Sequence, residues 1–361
     1  MTPRDVAVVA FARSAHHGPA DGLSEAEMLL PVLHDALDRA GLAPGEADFT
    51  CSGSSDYLAG RPFSFTLALD GVGAWPPIAE SHVEMDGAWA LYEAWVKILT
   101  GQADTALVYA HGKPSSGDLR DVLTRQLDPY YVAPLWPDPA SLAALQTRAL
   151  LDAGLIDAGL IDVDRIDAGL IDAAAPSRAA DGHPGAPHTP GAPHAPGAPA
   201  VTDGAAAVVL AAGATARRMC PRPAWIRGID HRIESHALGL RDLTDSPSTR
   251  LAAERAGAFD APVDTAELHT AGAAQEAVLR RALRLDDTVT VNPSGGSPAT
   301  DPVMAAGLIR LGEAAARIHR GASDRALAHA TSGPCLQQNL VAVLEGEPTR
   351  HPAAEPEGAR T

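Results

Sequence analysis

The stretch SHVEMDGAWALYEAW, Ser81 to Trp95, sets two carboxylates, Glu84 and Asp86, directly before an apolar run with helical spacing. The amino end of a helix favours negative charge through its free N–H groups and its dipole, so active sites are often built there. No Cys, Ser or Lys stands at the position where a nucleophile is expected. Two chemistries remain open. Glu84 and Asp86 act as bases or bind a partner, or Asp86 caps the helix that begins at Gly87 while Glu84 complements its dipole. Elsewhere, His269 in ELHTAG offers an imidazole that can move a proton near neutral pH, although a lone His at a strand–helix junction is also a structural choice. The pair Gly295–Gly296 in VNPSGGSPATDP lets backbone approach closely, or simply makes a tight turn before a helix capped by Asp301. Arg241 is a candidate phosphate partner or a surface ion pair. LDPYYVAPLWP, with Tyr130, Tyr131 and a Trp, walls a pocket or a dimer contact.

These residues need rigid elements to hold them. DVAVVAFA reads as a buried strand, and SEAEMLLPVLHDALDRAGL as a helix opened by a Ser-x-x-Glu start at Ser24 and stopped at Gly41. GAWALYEAWVKIL predicts a helix to about Leu99 with a stop at Gly101, then a strand TALVYA. DGAAAVVLAA and NLVAVLEG predict strands; TAELHTAGAAQEAVLRRALRL and DPVMAAGLIRLGEAAARIHRG predict helices. Strands alternating with helices indicate a layered α/β fold.

The 361 residues suffice for one large or two medium domains, and 46% apolar content supplies a core. With aromatics at 4%, Ala, Leu and Val must fill it. A net charge of −17 repels phosphates and anionic lipid, so neither nucleic acid nor a membrane is an expected partner. Three cysteines, Cys51, Cys220 and Cys335, cannot all pair, and the first apolar run is too short to span a bilayer; both point to a cytoplasmic protein. Residues 151–200 differ: AGLID recurs at 153, 158 and 168, and a Pro-Gly-Ala-His unit follows. The latter cannot pack a core and reads as an exposed linker. Its His183, His188 and His194 lack a rigid support, so no metal site is expected. The tail after 346 reads as disordered.

Four segments in order, EMDGAWALYEAWVKILTGQADTALVYAHGK, DGAAAVVLAA, AELHTAGAAQEAVLRRAL and VNPSGGSPATDPVMAAGLIRLGEAA, closed by SGPCLQQNLVAVLEG, resemble the thiolase superfamily, in particular its sterol-carrier/lipid-transfer branch. The resemblance implies a five-layered α/β fold of two similar βαβαβαββ halves, here 1–218 and 222–346, and a homodimer. It also implies a coenzyme A thioester as substrate. The family's acylated Cys and the Ser two residues on fall on Glu84 and Asp86, and the His of its Gly-His-Pro is replaced by Asp301. A carboxylate is a poor acyl acceptor from a thioester, because an anhydride is less stable than the thioester. The retained imidazole is His269. Asn292 opens the family's Asn-x-x-Gly-Gly pattern, and Gly295–Gly296 are its approach surface for a thioester or phosphopantetheine arm. The second family Cys falls on Gly333, with Cys335 two residues on.

Loss of the acylated Cys suits a reaction that needs a thioester enolate but no acyl-enzyme. By resemblance the chain is expected to be a retro-aldol lyase of a β-hydroxyacyl-CoA, a steroid or lipid side chain. His269 would move the proton, Glu84 or Asp86 would be a second carboxylate, and a small partner carrying an OB fold and a zinc ribbon would assist. The members of that kind use tyrosine, and no Tyr follows Tyr131; Tyr57, Tyr130 and Tyr131 match no motif. An acyltransferase or Claisen enzyme using Cys335 or Cys51, and a non-catalytic scaffold subunit, are the alternatives.

Overall fold

The computed structural model describes residues 4–14, 22–156 and 202–346. Most of the AGLID repeats, the three linker histidines and the tail after 346 lie outside the described residues.

Among the described residues ten strands form one sheet: β1 (Val6–Arg13), β2 (Phe49–Gly53), β3 (Glu80–Val83), β4 (Thr105–Gly112), β5 (Gly204–Ala212), β6 (Ala224–Ile233), β7 (Thr265–Leu268), β8 (Thr290–Val291), β9 (Arg325–Ser332) and β10 (Gln338–Glu345). The order is β3-β2-β4-β5-β1-β6-β10-β9-β7-β8. Outward from the central β1–β6 contact, the two halves have the same order, with β6 to β10 taking the places of β1 to β5. That contact is short, Ala7 opposite Trp225 and Val8 opposite Ala224, so the sheet can fold over at its middle.

The main helices are α1 (Glu25–Ala40), α2 (Gly87–Leu99), α3 (Leu119–Arg125), α4 (Pro139–Asp152), α5 (Gly213–Met219), α6 (Pro247–Arg255), α7 (Ala273–Ala282) and α8 (Ala306–His319). Three apolar clusters define five layers. One joins α2 and α8 to the inner faces of both half-sheets. A second packs α1 and α5 on the outer face of the first half, and a third packs α6 and α7 on the outer face of the second. This is the layered architecture expected from the sequence. β1 serves two clusters at once: Val6 and Val8 face the central helices, Ala7 and Val9 face α1. A bulge between Val8 and Ala10 shifts the alternation so that Phe11 returns to the centre.

The central layer is thin because small residues let backbones meet. A Cβ on Gly87 would lie 2.5 Å from the Ala110 methyl, and one on Gly307 would lie 2.5 Å from Asp86 Oδ1. The low aromatic content thus has a structural reason: two helices squeezed between half-sheets need Ala and Gly at their contacts.

Local signals read as expected at α1. Ser24 and Glu27 make a reciprocal capping box, and Gly41 closes the helix in the left-handed region. Two expectations need correction. TAELHTAGAAQEAVLRRALRL is not one helix: Thr265–Leu268 is strand β7, paired in parallel with β8 and β9, and the helix starts only at Ala273. The later helix begins at Ala306 rather than near Asp301.

Candidate active site

Asp86 caps α2, as one of the two sequence readings had it, and also caps a second helix. Its Oδ1 accepts the Ala88 N–H at 2.8 Å and the Leu308 N–H at 3.1 Å; Oδ2 accepts the Gly307 N–H at 2.9 Å. Helix α8 has Ala305 at its cap, with no side chain to offer, so Asp86 supplies that cap from the other half of the chain. Gly87 N–H in turn donates to the Met304 carbonyl at 2.9 Å. Burial pushes the Asp86 carboxyl up, and nearby His269 and the three N–H donors only partly offset it.

The His269 imidazole lies beside Asp301, Nε2 to Oδ1 at 3.1 Å, an ion-pair contact whose angle departs from that of a straight hydrogen bond. Asp301 therefore does not cap a helix. Its backbone pairs with Thr202, accepting the Thr202 N–H and donating to the Thr202 hydroxyl, which fixes the carboxylate in front of the ring. Thr331 N–H faces His269 Nδ1 at 3.5 Å, so the neutral ring carries its proton on Nε2, toward Asp301, and turns the Nδ1 lone pair toward Thr331 N–H in a long contact. Burial alone pulls this imidazole down, but the Asp301 and Asp86 carboxylates outweigh it and hold the pKa above the ordinary value. His329, which accepts the His269 N–H on its carbonyl, is different. Burial drops its imidazole to about 4, and Nε2 meets Asn339 Oδ1 at 3.0 Å.

Under this pair runs a buried ionic network that sequence reasoning missed. Glu267 is 0% and Arg310 1% exposed, with Nη1 to Oε2 at 3.5 Å. Ser294 bridges them: its hydroxyl donates to Glu267 at 2.7 Å and accepts from Arg310 at 3.0 Å. Arg310 also donates to the Thr300 carbonyl at 3.4 Å. The loop between Ser294 and Asp301 is thereby anchored to β7 and α8. A signal was present: Arg310 interrupts AAGLIRLGEAA, with only Leu, Ile and Gly at the two positions on either side.

Gly295 and Gly296 both have left-handed φ, 96° and 62°, and make the tight turn of this loop. Asn292 accepts the Leu268 N–H on Oδ1 at 2.6 Å, and Ser297 accepts the Thr270 N–H at 3.2 Å. The glycine turn is thus tied to the strand that delivers His269.

Other expected site residues lie elsewhere. Glu84 turns away from the α2 terminus. It accepts the Asp56 N–H at 2.7 Å and meets His82 Nε2 at 3.4 Å. Asp56, His82 and Glu84 bring donor atoms within 4.8 Å of one another, a spacing compatible with one divalent cation, yet each already has a protein partner: Phe63 and Ser64 N–H on Asp56, Ser52 on His82. Cys335 is buried, with Sγ on the Leu142 carbonyl at 3.3 Å, and burial pushes its thiol up to about 11. Cys51 is also fully buried; burial first, then Glu93 and Glu80, raise its pKa. Neither thiol is accessible, and at Cys335 burial outweighs the nearby Arg241 guanidinium, so neither has the surround of a reactive cysteine. Arg241 is not presented to a phosphate. Its guanidinium binds the Pro334 and Cys335 carbonyls and Glu234, and its side chain is 4% exposed. Tyr130 is exposed, its N–H held by Asp128, and Tyr131 stacks on His236 at 5.3 Å. Among the described residues no helix is long and apolar enough to cross a membrane.

No family model matches the chain. Among curated proteins, it is 34% identical over 149 residues to the 3-oxoadipyl-CoA/3-oxo-5,6-dehydrosuberyl-CoA thiolase of Escherichia coli K12. The alignment covers 40% of this chain and 36% of that enzyme. A β-ketoadipyl-CoA thiolase of Escherichia coli matches to the same extent, so the chain spans about a third of the length of the curated relatives it matches. Solved structures agree over nearly the whole chain. Human mitochondrial 3-ketoacyl-CoA thiolase superimposes with TM-score 0.65 at 18% identity, over 96% of this chain and 100% of that one. The Bacillus anthracis acetyl-CoA acetyltransferase superimposes with TM-score 0.68 at 18% identity over the same shares. The human enzyme bound to CoA gives 0.64 at 18% identity, over 95% and 98%. The chain has the thiolase fold.

Proposed function

We propose that this chain is a thiolase-superfamily enzyme acting on a coenzyme A thioester, and that it cleaves a carbon–carbon bond of a β-hydroxyacyl-CoA without an acyl-enzyme. The fold and the partial likeness to two thiolases support the substrate class. One observation carries the reaction type: the imidazole at His269 is paired with Asp301, while Cys51 and Cys335 are buried with raised pKa values.

In the proposed step, His269 Nδ1 exchanges its long contact with Thr331 N–H for the β-hydroxyl and takes its proton, and Asp301 stabilises the imidazolium that forms. The Cβ–O bond becomes a carbonyl as Cα–Cβ breaks, and the electron pair passes into the thioester enolate. The imidazolium then returns its proton to Cα. The products are an aldehyde or ketone and a shortened acyl-CoA, so atoms and charge balance. Asp86 holds the central helices in register and raises His269 basicity at a distance.

The reading extends to a homodimer and to a small partner with an OB fold and a zinc ribbon, as the lipid-transfer branch would require. The assay is therefore run with and without a co-expressed partner of that kind. Release of carbonyl product from a β-hydroxyacyl-CoA, lost in His269→Ala, is expected. CoA binding with no turnover in either condition would favour a non-catalytic subunit, and acyl transfer to a cysteine would favour the Claisen alternative, which the names of the relatives keep in view.

A further inference from the structure

A cavity opens between α4 and the loop after β6, with a volume of about 370 Å³. Tyr131, Leu135, Leu142, Leu145 and Leu238 make its apolar wall, and Ser141 adds a single hydroxyl. That residue is 9% exposed, and its Oγ is itself buried at the edge of the cavity without a hydrogen-bond partner in the protein. An unpaired hydroxyl in an apolar wall costs free energy unless something in the cavity binds it.

Two covalent and hydrogen-bonded routes tie this cavity to His269. Along the first, Gln146 of α4 accepts from Gln275 at 3.1 Å, and Gln275 accepts the Ala271 N–H at 2.8 Å, two residues beyond His269. Along the second, β9 carries Thr331 against His269 and continues into the loop whose Cys335 Sγ rests on the Leu142 carbonyl. Arg241 holds that loop by its Pro334 and Cys335 carbonyls. The volume falls in the range of pockets that enclose organic ligands, about 300–1,000 Å³.

We infer that this cavity holds the acyl moiety of the thioester substrate, and that the moiety is long or bulky, apolar, and carries a hydroxyl or keto oxygen which Ser141 binds. The inference rests on the proposed acyl-CoA function and narrows its substrate class. A small acyl group such as acetyl would leave the wall wet and the Ser141 hydroxyl unpaired.

The test is equilibrium binding to the intact protein of CoA, acetyl-CoA, octanoyl-, dodecanoyl- and palmitoyl-CoA, and the ω-hydroxy forms of the last three, together with the corresponding free acids. The affinity of the best long-chain thioester should exceed that of acetyl-CoA at least about tenfold, and Leu145→Trp should collapse that ratio. Leu145 is partly exposed, so the larger ring is tolerated; Leu238→Trp from the opposite wall serves as a second filling variant, with circular dichroism checking the fold. Ser141→Ala should remove the preference for the hydroxylated form while keeping the affinity for the plain chain. Equal affinity across the series, or ratios that ignore both filling variants, overturns the inference. Binding of the free acids that depends on Leu145, with no binding of CoA, would keep the cavity assignment and reject the acyl-CoA function. Loss of self-association in the filling variants, with unchanged ligand ratios, would assign the patch to a second copy of the chain and overturn the inference.

Discussion

Asp86 and Gly307 stand 221 residues apart in the chain, yet the carboxylate of one accepts the N–H of the other at 2.9 Å, in the same grip that caps α2. The two central helices, one from each half of the fold, thus share one cap. Replacing it should uncouple the halves rather than one helix. Asp86→Ala leaves three buried N–H groups without acceptors, at about 1–3 kcal/mol each, so a loss of about 3 kcal/mol or more is expected in urea unfolding. Asp86→Asn, which keeps one acceptor oxygen, should lose less. A loss below that of an ordinary single cap would contradict the shared-cap account.

His269 gives a pH dependence with a definite sign. Its folded pKa is raised above 6.5, chiefly by Asp301 and then Asp86 against burial, and the proposed base is the neutral ring. Turnover, as kcat/KM, should therefore rise with pH through a midpoint above 6.5. Asp301→Asn should move the midpoint down and lower the maximal rate by about a hundredfold, in the range of a general-base contribution. The stability contributed by the charged pair runs oppositely: it is present at low pH and lost as pH rises through the folded pKa.

His329 predicts acid sensitivity. Burial holds its imidazole near 4 in the fold against 6.5 for the free group. The unfolded chain therefore binds the extra proton first, and stability should fall as pH drops from about 6.5 to about 4, then level off. His329→Gln, which retains a donor toward Asn339, should flatten that fall in thermal unfolding measured across the same window.

The Glu267–Arg310 pair is a stability liability when broken and close to neutral when removed together. Arg310→Met alone strands a buried carboxylate and should cost about 3–5 kcal/mol. Adding Glu267→Leu should recover most of it. Denaturant midpoints of the two single variants and the double variant check this through a double-mutant cycle.

Much of the fold is legible in the sequence because strand and helix spacing, the Ser24 box and the Gly41 stop are local signals. Asp86 before Gly87 was readable as a cap for the same reason. Its second helix was not, since nothing near Asp86 marks Gly307. The same holds for Asp301: its local position before Pro302 suggests a cap, and only the packing of β7 beside the 294–301 loop turns it toward His269. Arg241 and Cys335 misled in the opposite way. Each has the right chemistry for a site, but the fold closes one on the other, carbonyl to guanidinium. Arg310 was visible as a cation in an apolar run, and its partner Glu267 sat unremarked two residues before His269.

The most direct test of chemistry without covalent capture is the mass of the intact protein while it turns over a β-hydroxyacyl-CoA. The account predicts accumulating aldehyde or ketone and shortened acyl-CoA, with the protein at its unmodified mass throughout. An acyl increment on Cys51, Cys220 or Cys335, appearing with release of free CoA, would contradict it.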